Sequence, residues 1–228
     1  MMSSLALLQL VSPALPVGAF SYSEGLELLV QREQLQDRAT LASWLEAELS
    51  RGQVMIEAAA LRPLRHSLSQ WKVSAEQGKV DHGTAVRDWA QWLIALRDAA
   101  EVRAQQQQMG RSLLQLLADL GHPLPDGGVD FGWPVAWAWA GLSWDITPLE
   151  VVQGYLFGWV ANQLSAAVRL VPLGPTEAQR LQRQLQPLIE MQAISLLDVD
   201  PQQLWCGGVG SAIAQLSHAE LYSRLFRS

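Results

Sequence analysis

The side chains able to do chemistry are few and scattered in this chain of 228 residues. Four histidines, His66, His82, His122 and His218, stand far apart. They lack the His-x-x-x-His or Cys–His spacing that brings two ligands onto one metal. His122 lies between Gly121 and Pro123, where a weak surface ligand is one reading and a solvated loop side chain the plainer one. Cys206 is the only cysteine, so no internal disulfide can form. Beside Gly207 and Gly208, with no partner in sight, it reads as a small apolar filler. Asp98 and Glu101 are three apart on one helical face, a spacing open to acid–base work, but the flanking Arg97 and Arg103 point to surface ion pairs. No Gly-x-x-x-x-Gly-Lys-Ser/Thr loop is present to cradle phosphate, and no Gly-x-Ser-x-Gly elbow to raise a nucleophile. Gly207, Gly208 and Gly210 have neither the spacing nor the lysine. The chain reads as non-catalytic, with no cofactor and no metal ligands.

Residues suited to contact remain, and they gather in two segments. The first is Ser12–Glu27, SPALPVGAFSYSEGLE, within an opening stretch of 23 uncharged residues. Pro13 and Pro16 fix φ and remove two backbone donors, so no helix is expected through them. Gly18 permits a backbone angle that other residues resist. A short helix over Leu5–Val11 should precede this loop, and a second should start near Ser23. Ser23 suits an N-cap, and Glu24 and Glu27 suit a first helical turn. The loop should hold Phe20 and Tyr22 in place, with core and partner both open as the destination of the rings. A secretory leader is the competing reading of so apolar a start, but the first basic residue is Arg32 and the charged n-region is missing. The second segment is the tail 222–228. There Arg224 and Arg227 alternate with Leu225 and Phe226 behind Tyr222, offering cationic and apolar contacts together. A tail folded back on its own domain is the alternative.

Composition sets the bounds. Hydrophobic residues make up 49% and charged residues 17%, which is lean in charge. A net charge of −6 argues against a general nucleic-acid partner. One cysteine and no export signal fit a reducing cytoplasm. Ten tryptophans exceed what one core of this size needs. They imply either an aromatic-rich interior or apolar surface covered in an assembly. Val151–Val168 is uncharged and contains Gly154-x-x-x-Gly158, but Gln153, Asn162, Gln163 and Ser165 would be costly in lipid, so no membrane span is expected.

The elements that must position these residues are helical. Leu41, Trp44, Leu45 and Leu49 share a face, capped by Asp37 or Thr40 and ended by Gly52. The next helix holds Pro63, which should kink or split it. Gly78 and Gly83 mark a break before a helix faced by Val86, Trp89, Leu93 and Leu96. Glu101–Leu120 reads as helix in spite of Gly110. After the turn-rich 121–128, Pro134 should open an apolar helix. Thr147 and Pro148 should open another that runs to about Leu170 and is ended by Pro172, Gly174 and Pro175. Thr176 should start the next, and a last helix should span Ser211–Leu221. No alternating strand pattern and no repeat appear. The expected fold is all-α, a single-domain helical bundle of about ten helices over residues 1–228.

The wording of Ser12–Glu27 resembles the N-terminal motif of the urease accessory protein F (UreF) family, through Ser12, Pro13, Leu15 to Gly18, Phe20 to Ser23 and Gly25 to Glu27. Three further blocks resemble that family in order: Glu101–Gln105 with Gln108–Leu114, Ser165–Gly174 with Gln179, and Tyr222–Ser228. The chain departs at Pro175, where the family usually has Gln, and at Ala219, Glu220 and Leu221, where it usually has Glu-Thr-Gln after the histidine.

The resemblance implies a non-catalytic urease maturation factor of the cytoplasm. It implies a homodimer that binds accessory protein D or H, recruits the GTPase accessory protein G and brings nickel to apo-urease, with the GTPase coupled or modulated. Partner contacts are expected at Tyr222, Arg224, Leu225, Phe226 and Arg227, with Phe20 and Tyr22. Structural roles fall to Pro13, Pro16, Gly18, Gly25, Arg169, Pro172 and Gly174, with Arg169 bracing the end of its helix. Two other classes compete: an all-α enzyme with a scattered site, and a regulator of a GTPase outside urease maturation, with an arginine reaching into its site.

Overall fold

A computed structural model describes residues 2–79 and 83–228; His82, considered above as a ligand, lies outside them. Among the described residues there is no strand, and there are ten α-helices. They are α1 Met2–Leu10, α2 Leu26–Gln31, α3 Arg38–Arg51, α4 Gln53–Glu76, α5 Thr84–Ala95, α6 Ala100–Asp119, α7 Trp133–Ser143, α8 Pro148–Leu170, α9 Pro175–Leu196 and α10 Val209–His218. Single 3-10 turns at Ala19–Ser21 and Pro201–Gln203 complete the fold.

Helix α7 explains the arrangement. It is apolar on every side, so it cannot lie on a surface. Residues Pro134 to Gly141 are all buried, with α4 and α6 packed against it and α8 alongside. Helix α8 also packs on α9, which meets α3. All ten helices contribute to one continuous apolar core. The tryptophans go mostly into that core: of the ten, only Trp205 is exposed, at 90%. Trp71, Trp137 and Trp139 are buried and six others are partly buried against the core, so the surplus goes chiefly to the interior and its margin.

Helix starts follow their capping chemistry. Asp37 accepts from Thr40 N–H and Thr147 from Glu150 N–H, each within a reciprocal capping box. Pro148 and Pro175 sit in first turns, where a missing N–H costs nothing. Helix α9 thus starts one residue before the expected Thr176, after Gly174 as N-cap. Pro63 does not split α4, which runs unbroken from Gln53 to Glu76. Burial of one α4 face against α7 and α8 outweighs the missing hydrogen bond. Gly110 has a packing reason: a Cβ there would run into the Phe131 carbonyl and the Gly132 backbone.

Ser23 is not the cap of α2. That helix starts later, after Gly25, whose φ of 86° and closeness to α10 both require glycine; a Cβ would lie 2.9 Å from Gln215 N. Ser23 instead points its hydroxyl to the far end of the chain. Cys206 is exposed, so it is not the buried filler expected. No helix among the described residues is long and apolar enough to cross a membrane, and most of Val151–Val168 is packed within α8.

Candidate functional site

The two segments singled out by sequence meet. After its prolines, loop 12–25 turns through Gly18 (φ 72°) and places the two aromatic rings on opposite sides. Phe20 is 66% exposed, whereas Tyr22 is buried in the core. From Tyr22 to Leu29 every residue is buried, which creates a floor onto which the tail folds. The tail is laid down by main-chain bonds, so it is not frayed. Arg227 N–H donates to Ser21 O at 2.9 Å, and Ser23 N–H donates to Ser228 O at 2.9 Å. The Ser23 hydroxyl donates to the same Ser228 oxygen at 2.6 Å.

Glu27 is the anchor. Its Oε1 accepts from Leu225 N–H at 2.7 Å and its Oε2 from Phe226 N–H at 3.1 Å. The same Oε2 lies 3.1 Å from His218 Nε2, and His218 Nδ1 lies 3.1 Å from Glu101 Oε2. Arg224 pairs with the other oxygen of Glu101. Burial raises the Glu101 carboxyl, but hydrogen bonds and charge from His218 and Arg224 outweigh it and hold the group below the ordinary carboxylate range. The expected pairing of Glu101 and Asp98 with Arg97 and Arg103 is corrected. Arg97 turns inward, and Arg103 donates to the Arg97 and Asp98 carbonyls, since the α5–α6 turn leaves those oxygens without helical partners.

Arg169 is also placed differently from the expected brace of its own helix end. Its guanidinium carbon sits 4.8 Å from the centre of the Phe226 ring, and Nη1 reaches Phe20 O at 3.5 Å. It clamps the tail to the N-terminal loop. The C-terminal end of α8 is handled by the backbone, with Val171 N–H on Ala167 O. Of the tail residues, Phe226 and Ser228 face in, while Tyr222, Arg224, Leu225 and Arg227 face out. Pro13, Pro16, Pro172 and Gly174 are exposed at bends.

Behind this clasp lies a buried polar network that the sequence reading did not name. Ser228 Oγ donates to Gln105 Oε1 at 2.6 Å, and Gln105 Nε2 donates to Glu24 Oε1 at 2.7 Å. Trp159 Nε1 donates to Glu24 Oε2 at 3.0 Å. Deeper still, Arg97 donates to Glu57 Oε1 from Nε at 2.9 Å and from Nη2 at 2.6 Å, and Tyr155 OH donates to Glu57 Oε2 at 2.7 Å. Burial dominates Glu57 and pushes it up against the pull of Arg97; it also drives the Tyr155 phenol well above its ordinary value, helped by the Glu57 charge. Glu48, which takes a hydrogen bond from Ser211, is raised to about 7 by burial and by the charge of Glu24. An open cavity of about 690 Å³ lies between the loop and α6, α8 and α9, walled by Met109, Trp133, Trp137 and Tyr155 and reached by Glu24 and Glu57.

A signal for this network existed. Gln105 and Gln106 occupy inward positions of the α6 stripe with Val102, Met109 and Leu113, and Glu57 interrupts the apolar run Val54–Leu61. Among the described residues, no group of three or more His, Cys, Asp or Glu side chains could hold a metal ion.

Fold and site together define a class: an all-helical protein in which a proline-rich N-terminal loop and the C-terminal tail are sewn together over a buried polar network. Within that class the chain belongs to the UreF family, whose family model, described as UreF, matches residues 35–186. It is similar to the protein named urease accessory protein UreF of Prochlorococcus marinus subsp. pastoris (strain CCMP1986 / NIES-2087 / MED4), 36% identical over 220 residues, 96% of each chain. It is also similar to proteins of that name from Trichormus variabilis, 38% identical over 228 residues, and Nostoc sp., 39% identical over 229 residues. Each of these two matches covers 98% of this chain and 95% of the relative.

Proposed function

We propose that the chain acts in urease maturation as a non-catalytic accessory protein, its residues 1–228 working as one domain. It forms a homodimer in the cytoplasm and joins accessory proteins D or H and G in a complex that delivers nickel to apo-urease, coupling to the GTPase of G. Family membership supports the maturation role.

The observation that carries the partner face is the split character of the tail. Its inner residues Phe226 and Ser228 are locked to Arg169, Gln105 and Ser23, which holds the outer ones in place. Tyr222 is fully exposed and Leu225 is 52% exposed, with Arg224 and Arg227 beside them. Phe20 is exposed on the loop beneath. Tyrosine and arginine are among the side chains that dominate interface energies, and Leu225 adds apolar area beside them. Tyr22 and Phe226 support this face from below.

Co-purification with accessory proteins D or H and G tests the reading. The full chain should capture both, and the chain lacking residues 222–228 should not. Capture undiminished by the truncation rejects the tail as the partner face. A deletion strain that keeps full urease activity at limiting nickel rejects the maturation role.

A further inference from the structure

His218 is wholly enclosed, and each of its ring nitrogens faces a carboxylate oxygen at 3.1 Å. A carboxylate offers only lone pairs, and a neutral imidazole carries one N–H and one lone pair. A neutral ring could satisfy one of these contacts but would set lone pair against lone pair in the other. Moving the proton to Glu27 Oε2 would weaken that oxygen as the acceptor of the Phe226 N–H, which it takes besides facing the ring, while Oε1 takes the Leu225 N–H. Glu101 faces the ring with Oε2 and has Arg224 on Oε1, and the two partners together hold its carboxyl below the ordinary range, which favours its ionised form. Helix α10 packs on α2 and α6. The charged groups that these helices and the tail turn toward the ring are Glu27, Glu101 and Arg224. Glu48 meets α10 at its other end, through Ser211. Two carboxylates against Arg224 and a protonated ring make a balanced group. With a neutral ring the enclosed Glu27 carboxylate would lose its cationic partner, which is costly.

We propose that His218 is a positioning residue that seats the tail only in its imidazolium form, so that attachment of residues 224–228 is tied to the proton on its ring. Donating to both carboxylates at once, the ring turns Glu27 so that its oxygens meet the 225 and 226 amides, and holds Glu101 against Arg224. This concerns the tail's attachment to its own chain and holds or fails independently of any partner.

Nitrogen-15 NMR of the full chain with labelled histidine reads the ring directly. With the tail seated, both His218 nitrogens are expected at the protonated position. Hydrogen exchange at the Leu225 and Phe226 amides should be slowed at least about tenfold relative to an unseated chain. His218→Gln has both of its N–H donors on one nitrogen and cannot span the two carboxylates as the separate ring nitrogens do, so it should lose that protection while the α7 amides keep theirs. A ring with one protonated nitrogen beneath a protected tail overturns the proposal. So does a His218→Gln chain whose tail amides stay protected. If that variant does not fold, the ring spectrum of the parent chain decides.

Discussion

Replacing Arg97 with methionine puts the interior to its severest test. Arg97 and Glu57 side chains are each 3% exposed, and Arg97 supplies two of the three hydrogen bonds that reach Glu57. Methionine fills similar volume but donates nothing, leaving a buried carboxyl with the Tyr155 hydroxyl alone. Breaking a buried pair from one side costs about 3–5 kcal/mol, because the remaining charge has lost its counter-charge and gains no water. That is a large share of an ordinary stability of about 5–15 kcal/mol. For a chain of this size the melting temperature should fall by roughly 10 °C. The double variant Arg97→Met/Glu57→Met removes the stranded charge as well. It should recover to within about 2 kcal/mol of the parent, the remainder including the orphaned Tyr155 hydroxyl.

The pH dependence of Arg97→Met separates charge from packing. Burial already raises Glu57, and without Arg97 nothing of comparable strength opposes it. An acid raised in the folded state binds its proton more readily folded than unfolded. Stability therefore falls as pH climbs above the unfolded carboxyl value and is regained on acidification. The deficit of the single variant should shrink between pH 7.5 and pH 5. Urea unfolding at both pH values, with parent, single and double variants, measures all of this. A single variant within about 1 kcal/mol of the parent, or a deficit unchanged by pH, refutes the reasoning.

Three further outcomes follow from the same geometry. Glu48, raised from 4.5 to about 7, contributes stability that is lost as pH rises through that interval, so Glu48→Gln should stabilise the chain at pH 8 by about 1–3 kcal/mol and give no gain at pH 4.5 in urea titrations. Gly110→Ala should cost at least about 2 kcal/mol by the same assay, since the new methyl meets main chain that cannot step aside. Phe226→Ala should open the tail alone: exchange at the Arg227 and Ser23 amides rises sharply while global stability drops by less than about 2 kcal/mol, and equal loss of protection in α7 would contradict a locally opening tail.

Helix positions were legible because their signals are local. The Asp37 and Thr147 caps, Pro148 and the apolar faces of α3, α5 and α6 are written in neighbouring residues. Errors arose where a distant contact decides. Ser23 looks like a cap, yet its hydroxyl serves a residue 205 positions away. Arg169 looks like a helix-end brace, yet it is claimed by the Phe226 ring. Arg97 beside Asp98 looks like one half of a surface pair, yet it crosses to Glu57 in α4. Local spacing carries no information about such partners.

The same contrast explains why loop 12–27 and tail 222–228 belong to one device. Neither could hold a fixed shape alone: the loop has two prolines and little helix, and the tail has no regular structure. Each provides what the other lacks. The loop presents Ser21 O, Ser23 and the Glu27 carboxylate, and the tail presents the amides of Leu225, Phe226 and Arg227 with the Ser228 carbonyl. Because Ser228 also reaches Gln105, and Gln105 reaches Glu24 at the cavity, movement of the tail removes a hydrogen bond from the network beside that cavity. Ser228, Gln105 and Glu24 thus form one hydrogen-bonded chain from the tail to the cavity wall.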